Sequence, residues 1–353
     1  MSKRHFSWLL GLTVAVAVVA FLLPRETVRE NGVEASALLP GLEASVNDID
    51  WLRISAEGET IATLVRSGDR WVVEEANGYA ADWPQVHGLL SDLAGAQVIE
   101  AKTSNPDYYD RLGVEATDSP DASGALIEFH ESTGLPSLIA GNTAQGRGGQ
   151  YIRLADEAQS VLIDRELEIS RGTEDWLNSD IIDISEDEVV EVAVTPADGE
   201  PVLIRKISAD DRNFELQNVP EGQEPKSSYT VNSLAGGLSS LTMDDVVPAQ
   251  GLDWNDSFSY RLLTADGLNV EADLLEVPAE QGGSPAHWIR LEAGLYTTTV
   301  DAGVDPDGAV ETAKRAEEIN QRVAGWAYRI PQYKFSAMNK RMADLVQAIE
   351  ADS

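Results

Sequence analysis

The chain has 353 residues, 43% hydrophobic and 24% charged, with eight tryptophans: the make-up of a folded protein long enough for two domains, not of a disordered chain. Sixty acidic residues against 26 basic ones give a net charge of -34, which repels phosphate backbones and argues against any nucleic-acid partner. The absence of cysteine removes disulfides, thiol catalysis, zinc ribbons and iron–sulfur clusters.

The first element is apolar. After a short flank, residues 1–5, the run Phe6 to Leu23 carries no charge. At about 1.5 Å per residue a helix of this length spans about 27 Å, close to the thickness of a bilayer core. Lys3 and Arg4 precede the run, while Arg25 and Arg29 follow it among acidic residues. The balance points to a cytoplasmic N-terminus and an extracytoplasmic remainder. The competing reading is a cleaved signal peptide. Its difficulty is the cleavage site: Ala15-Val16-Ala17 lies inside the apolar run, and Ala35-Ser36-Ala37 lies well past it. The expectation is therefore a single-pass inner-membrane anchor over 6–23. A linker over 24–45 follows, broken by Pro24, Gly32, Pro40 and Gly41.

The remainder repeats itself. DIDWLRISAEGETIATLVRSGDRWVVEE, from Asp48, and DEVVEVAVTPADGEPVLIRKISADDRNFELQN, from Asp187, follow one plan. An apolar alternation opens each one (Ile49, Trp51 and Ile54; Val190, Val192 and Val194). A polar tip follows at Glu57-Gly58 or Asp198-Gly199, then a return strand, then a strand bearing Trp71 or Phe214. Period-two alternation with short polar turns predicts a β-meander. Each copy then predicts a helix. In the first, Asp82 is placed as the N-cap and Pro84 in the first turn, with Val86, Leu89, Leu90 and Leu93 on one face. In the second, Val231, Leu234, Leu238 and Leu241 form the stripe, weakened by Gly236 and Gly237. GALIEFHESTG pairs with FSYRLLTADG, and Tyr151-Ile152-Arg153-Leu154 pairs with Trp288-Ile289-Arg290-Leu291. The expected fold class is α+β: a transmembrane helix, then two tandem related domains of antiparallel sheet with a packed helix, over 46–185 and 186–310. Residues 311–353 are expected to close the chain as helix, strand and helix. The strand falls at Trp326 to Ile330, and a final amphipathic helix is marked by Met338, Met342, Leu345 and Ile349.

The stretch GNTAQGRGGQYIRL, Gly141 to Leu154, has the look of a phosphate loop. A phosphate loop needs a lysine and a hydroxyl after its second glycine, and a helix beyond. Here Arg147 and Gly148 stand in those places and a strand follows, so a hairpin tip is expected. The histidines His5, His87, His130 and His287 are dispersed without ligand spacing. DAGVDPDG, Asp301 to Gly308, places Asp305 and Asp307 before a glycine. It lacks the ligand at Gly303 and the closing glutamate at Lys314 that a calcium loop requires, so a solvated turn is expected. Trp51, Trp71, Trp288 and Trp326 are expected as core anchors. No serine has a nucleophile elbow, and carboxylate pairs in so acidic a chain single out no dyad. No catalytic, metal or cofactor residue is nominated.

The order of these elements resembles the domain-of-unknown-function 4340 family. The likeness rests on the tryptophan strand GDRWVVEE, the helix-opening YAADWPQVHGLLSDLAG, YYDRLGVEA, the hairpin ending in YIRL, the repeat ending in WIRL, and the closing GWAYRIPQYKFSAMNKRMADLVQ. It covers Val46 to near the C-terminus. Phe214 in place of a second Trp71, and the double glycine, depart from regularity. The resemblance implies a membrane-anchored bacterial protein with an extracytoplasmic soluble part, from a family whose genes often sit beside ABC-type transport components resembling those of gliding-motility systems. It carries over no catalytic residues. The expected function is a non-enzymatic accessory subunit of such a complex, in the inner membrane and facing the periplasm or the outside. The alternative is a free-standing envelope module that binds a glycan or another extracellular ligand.

Overall fold

The computed structural model describes residues 36–146, 148–279, 282–296 and 306–349. The flank 1–5, the apolar run Phe6–Leu23 and residues 24–35 of the expected linker 24–45 lie outside the described residues. Residues 36–45 are not linker: Ser36–Ala37 is a strand of the first sheet, Leu42–Ser45 a helical turn, and Leu38, Leu39 and Leu42 are buried in the core. Among the described residues no helix is long and apolar enough to cross a membrane.

The chain is mixed α+β, dominated by antiparallel sheet. The first sheet is assembled from β1 (Ser36–Ala37), β2 (Trp51–Ala56), β3 (Glu59–Ser67), β4 (Arg70–Val73), β5 (Tyr79–Ala80), β6 (Gln97–Ala101), β7 (Ala125–Phe129), β8 (Leu138–Thr143), β9 (Gln150–Leu154) and β10 (Ser160–Ile163). Its strand order is β1-β6-β10-β9-β8-β7-β2-β3-β4-β5, with every neighbour antiparallel. The inward face of β2 is Leu52, Ile54 and Ala56, all buried. Trp51 therefore faces the other way, half-buried, with Arg53 over its ring and His130 edge-on. The expectation that Trp51 lies on the core face is thus corrected: β2 alternates one residue out of step with it, and a one-residue shift exchanges the two faces of a strand.

Two short helices, α1 (Leu42–Ser45) and α3 (Tyr109–Leu112), flank a longer one, α2 (Trp83–Gly95). The Asp82 side chain caps α2 by accepting from Gln85 N–H, and Pro84 sits in the first turn. Proline costs little there because its missing N–H would have no partner in the helix. Val86, Leu89, Leu90 and Leu93 are all buried against the sheet.

The second half contains β11 (Asp180–Ile182), β12 (Val189–Thr195), β13 (Val202–Arg205), β14 (Glu215–Leu216), β15 (Gln223–Pro225), β16 (Leu241–Thr242), β17 (Asp245–Pro248), β18 (Phe258–Thr264), β19 (Leu268–Val277), β20 (Ala286–Leu295), β21 (Trp326–Arg329) and β22 (Val346–Ala348). Eight of them form a sheet in the order β14-β13-β12-β18-β19-β20-β21-β17, again antiparallel throughout. Ranked by chain order, these eight strands run in the same spatial sequence as β2–β4 and β6–β10 of the first sheet.

Among the described residues this half has four α-helices: α4 (Ser228–Asn232), α5 (Pro306–Val323), α6 (Gln332–Met338) and α7 (Met342–Leu345). The expected stripe Val231, Leu234, Leu238 and Leu241 is fully buried, but only α4 is α-helical and turns continue to Ser240. The glycines explain the break. A Cβ on Gly236 would overlap the Glu186 carboxylate. One on Gly237 would overlap Met338 and reach Tyr260 Oη at 3.0 Å.

β21 is an interior strand of the second sheet, between β20 and β17. The single final helix expected after it is two short helices and a strand. α6 stops at Met338, α7 spans one turn, and β22 pairs with β15. Arg341 takes an extended backbone between the helices, its N–H donating to Asp344 Oδ2 at 2.8 Å. Met338 and Leu345 are buried, while Ile349 is exposed.

One continuous hydrophobic cluster contains core residues of both sheets. Segment 164–188 joins the halves. Fully buried Trp176 donates its indole N–H to Ser170 O and accepts from Asp82 N–H through its own carbonyl. β11 pairs with β16, and Tyr79 of β5 packs edge-on against Trp326 and Tyr328 of β21.

Candidate functional site

A cleft of about 410 Å³ opens on the helix-bearing side of the first sheet. This lies in the range of about 300–1,000 Å³ typical of small-ligand sites. Four pieces of chain build it. The turn at Val46–Asp48 supplies Val46 and Asn47. The β3–β4 hairpin supplies Arg66, Asp69, Arg70 and Trp71. The lead into α2 and its first three turns supply Ala80, Ala81, Trp83 and Leu90. The joining segment supplies Asn178. Local rules place these groups. Arg66 lies opposite Trp71 in the β3–β4 register, so the two side chains leave the same face of the sheet, Trp71 buried and Arg66 exposed. Gly68, at φ 68°, turns the hairpin in a conformation glycine adopts freely. The N-cap at Asp82 fixes where α2 begins, and so puts Trp83 at the rim.

The cleft is rich in donors. Arg66 spends one N–H on Asn47 O at 3.0 Å. Neither Arg66 nor Arg70 makes an ion pair among the described residues. Asn178 Oδ1 accepts Asp180 N–H at 3.1 Å, which leaves its amide N–H groups for other acceptors. Trp71 is buried as the floor, whereas Trp83 is 51% exposed. The Trp83 ring leans on His87, centroid to centroid 5.3 Å. Just behind, burial holds the Tyr79 phenol above its ordinary value, and its hydrogen bond with Tyr328 works the other way. Burial likewise raises Tyr328. Both phenols stay neutral at physiological pH and serve as packing groups beside Trp326.

The residues singled out in the sequence do not converge here. Gly141 to Leu154 is a hairpin: β8 pairs with β9, and Gly146, Gly148 and Gly149 have positive φ. Arg147 lies outside the described residues. No helix follows the tip, so no helix N-terminus faces it. Gly141 is needed for close approach, since a Cβ there would overlap the carbonyls of Leu112 and Gly113.

His130 caps a short turn through Ser132. His287 is buried against Phe335 and 3.3 Å from Glu276. His5 lies outside the described residues. Among the described residues no cluster of three histidine or carboxylate groups is placed to hold a metal ion. Asp301–Asp305 lie outside the described residues, and the backbone from Pro306 is already α5. Asp307 and Gly308 thus belong to the first turn of a helix, not to the solvated turn expected there. Of the four tryptophans expected as anchors, Trp71 and Trp288 are buried, while Trp51 and Trp326 are half-buried.

The paired YIRL and WIRL arginines have structural duties. Arg153 is 8% exposed and lies 4.8 Å over the Tyr109 ring. It donates to the carbonyls of Val114, Ala155 and Glu157 at 2.8–3.1 Å. Arg290 lies 4.6 Å over Trp254 and pairs with Asp273 at 2.8 Å. Sequence reasoning found this pair but missed the cleft. The signal available was two arginines at i and i+4, Arg66 and Arg70, across a glycine turn and directly before a tryptophan.

No curated protein and no solved structure matches the chain. Residues 71–262 match the family model described as a domain of unknown function, DUF4340. The match runs from Trp71 at the floor of the cleft into β18, across the joining segment and over half of the chain, and the protein therefore belongs to the DUF4340 family.

Proposed function

We propose that this protein is a single-pass, inner-membrane-anchored accessory subunit of an ABC-type transport or motility-like complex. Its two related α+β halves face the periplasm or the cell exterior, and it acts by binding rather than by catalysis. The observation that carries the reading is the uncharged run Phe6–Leu23 with Lys3 and Arg4 ahead of it, joined by a short linker to two sheets that share one core. The common strand order of the two sheets supports a tandem duplication, and the gene neighbourhood implied by the family resemblance is the ground for naming permease and ATPase components as partners. The test is isolation of the C-terminally tagged protein from gently solubilised native membranes, followed by mass spectrometry. A stoichiometric permease and ATPase are expected. A monodisperse protein arriving alone would overturn the accessory role.

A second reading, an envelope module that binds an extracellular ligand, is favoured by the Arg66–Arg70–Trp83 cleft. Titration of the full chain with a panel of envelope oligosaccharides tests it, with saturable binding expected. Flat titrations across the panel would end it.

A further inference from the structure

We propose that the cleft between the β3–β4 hairpin and the start of α2 binds a saccharide ring that carries a carboxylate. The inference rests on the ligand-binding reading above and names the ligand class. The first ground is charge. In a chain with 60 acidic and 26 basic residues, Arg66 and Arg70 line one cleft and form no ion pair among the described residues. A guanidinium left without a carboxylate in so negative a molecule is available to an anionic ligand. Its planar fork matches a carboxylate through two parallel N–H···O bonds.

The second ground is the aromatic surface. Trp83 is half exposed at the rim, braced by His87, and Trp71 forms the floor. An indole offers a flat apolar face with a polar edge, which suits the C–H face of a sugar ring flanked by hydroxyls. The third ground discriminates among anions. Asp69 and Asn47 share the lining with the arginines. A carboxylate in the wall repels a compact dianion such as phosphate, yet accepts hydrogen bonds from hydroxyl groups. Asn178 lines the same space, with its Oδ1 taken by Asp180 N–H and its amide N–H groups left as donors. One carboxylate together with several hydroxyls satisfies this set; a bare anion or a neutral sugar satisfies only part of it. The cleft volume of about 410 Å³ suits a short oligomer end and not a long chain.

Calorimetric titration of the full chain in detergent micelles tests the assignment, with trigalacturonate, galacturonate, maltotriose and inorganic phosphate as probes. Trigalacturonate is expected to bind and to weaken with added salt. Maltotriose, of similar size without the carboxylates, is expected to bind at least about tenfold more weakly, the scale of a lost charge-assisted pair. Galacturonate that competes with the trimer on equal terms makes the site a single-ring pocket; a stronger trimer makes it a chain-end site. R70Q and W83A remove exposed side chains, so the melting temperature is expected to hold while trigalacturonate affinity falls about tenfold or more. R66Q, whose residue also bonds Asn47 O, serves as a third variant alongside its own melting curve.

Equal binding of maltotriose would overturn the carboxylate assignment and leave the ligand-binding reading standing. Phosphate displacing trigalacturonate at equal affinity would reduce the site to an anion site and overturn the saccharide. Trigalacturonate affinity unchanged in both R70Q and W83A would remove the ligand from this cleft. Silence from every probe would overturn the assignment, and the wider oligosaccharide panel would then decide whether the ligand-binding reading falls with it.

Discussion

In the first half of the molecule a 13-residue helix, α2, closes the sheet. In the second half the same place in the chain is filled by the five residues of α4 and a run of turns. Both stretches bury four apolar side chains at helical spacing. What differs is the material laid over them. Nothing crowds Gly88 within α2, whereas the turns around Gly236 and Gly237 lie under Glu186, Met338 and Tyr260. A second difference lies between the last two strands. In the first sheet β9 turns directly into β10; in the second, α5 is inserted between β20 and β21. The second half has thus exchanged a regular covering helix for tail elements, α6 and α7, that pack onto it. Lys334 of α6 marks the exchange by donating from its ammonium group to the carbonyls of Gly236 and Ser239. Partial burial lowers its pKa, while Glu186 and Asp183 act to raise it.

The strongest way to break the comparison is at the joint. Trp176 is fully buried in the joining segment and bonds within that segment, to Ser170, and to Asp82 of the first half. Trp176→Ala is expected to cost about 3–5 kcal/mol, the usual range for emptying a buried tryptophan site. Urea unfolding followed by circular dichroism is expected to remain one transition, because the core is continuous. Two separated transitions, with only one displaced, would mean that the halves are independent cooperative units. Next in size is Gly237→Ala. Its added methyl group meets Met338 and Tyr260, and such overpacking costs about 1–3 kcal/mol. No loss of stability would show that α6 can move aside and that the turns do not depend on it.

How much of this was legible beforehand differs between the same two regions. Asp82, Pro84 and the stripe Val86, Leu89, Leu90 and Leu93 fixed α2 almost to the residue, because capping and periodicity are local properties. The stripe in the second half was equally visible. The loss of helix there depends on Met338 and Glu186, far away in sequence, and no local pattern carries that information. The placement of β21 is a case of the same kind. Its strand character was evident from Trp326 to Arg329, but its pairing with β17 and β20 spans long stretches of chain. Of the candidate site, the residue types were on view and their convergence was not. The cleft draws on Asn47, Arg66, Trp83 and Asn178, and only the fold brings those positions together.

Gly88→Ala sharpens the contrast between the two glycine sites. A Cβ at Gly88 meets nothing within 4 Å, and the residue lies inside α2. Alanine there is expected to stabilise the protein by about 0.5–1 kcal/mol by lowering the entropy lost on folding. A melting temperature that falls instead would show that the half-buried surface of α2 at Gly88 is packed more tightly than this geometry allows.

The smallest effect concerns the two hairpin tips. In each half the tip between the first two strands of the meander carries an acidic residue held by an arginine from the chain that follows the sheet's last strand. Glu57 faces Arg171 at 3.5 Å, and Asp198 faces Arg341 at 2.7 Å. The Asp198 carboxyl is held below the usual aspartate range, first by its hydrogen bond from Arg341 and then by the charge of that guanidinium. A lowered folded-state pKa means that the unfolded chain binds the proton more readily. The contribution is therefore present above the unfolded value of about 3.9 and is lost as the pH falls through the lower folded value. Because the pair is exposed, solvent and salt screen it. D198N is thus expected to lower the unfolding midpoint slightly and by a constant amount from pH 7 to pH 5. That difference should shrink below about pH 4 and fade in 1 M salt. E57Q, with the longer contact, is expected to do less under every condition. A D198N deficit that persists at pH 2 would assign the effect to packing of the tip against α7 rather than to the ion pair, and would remove the electrostatic clasp from the list of features the two halves share.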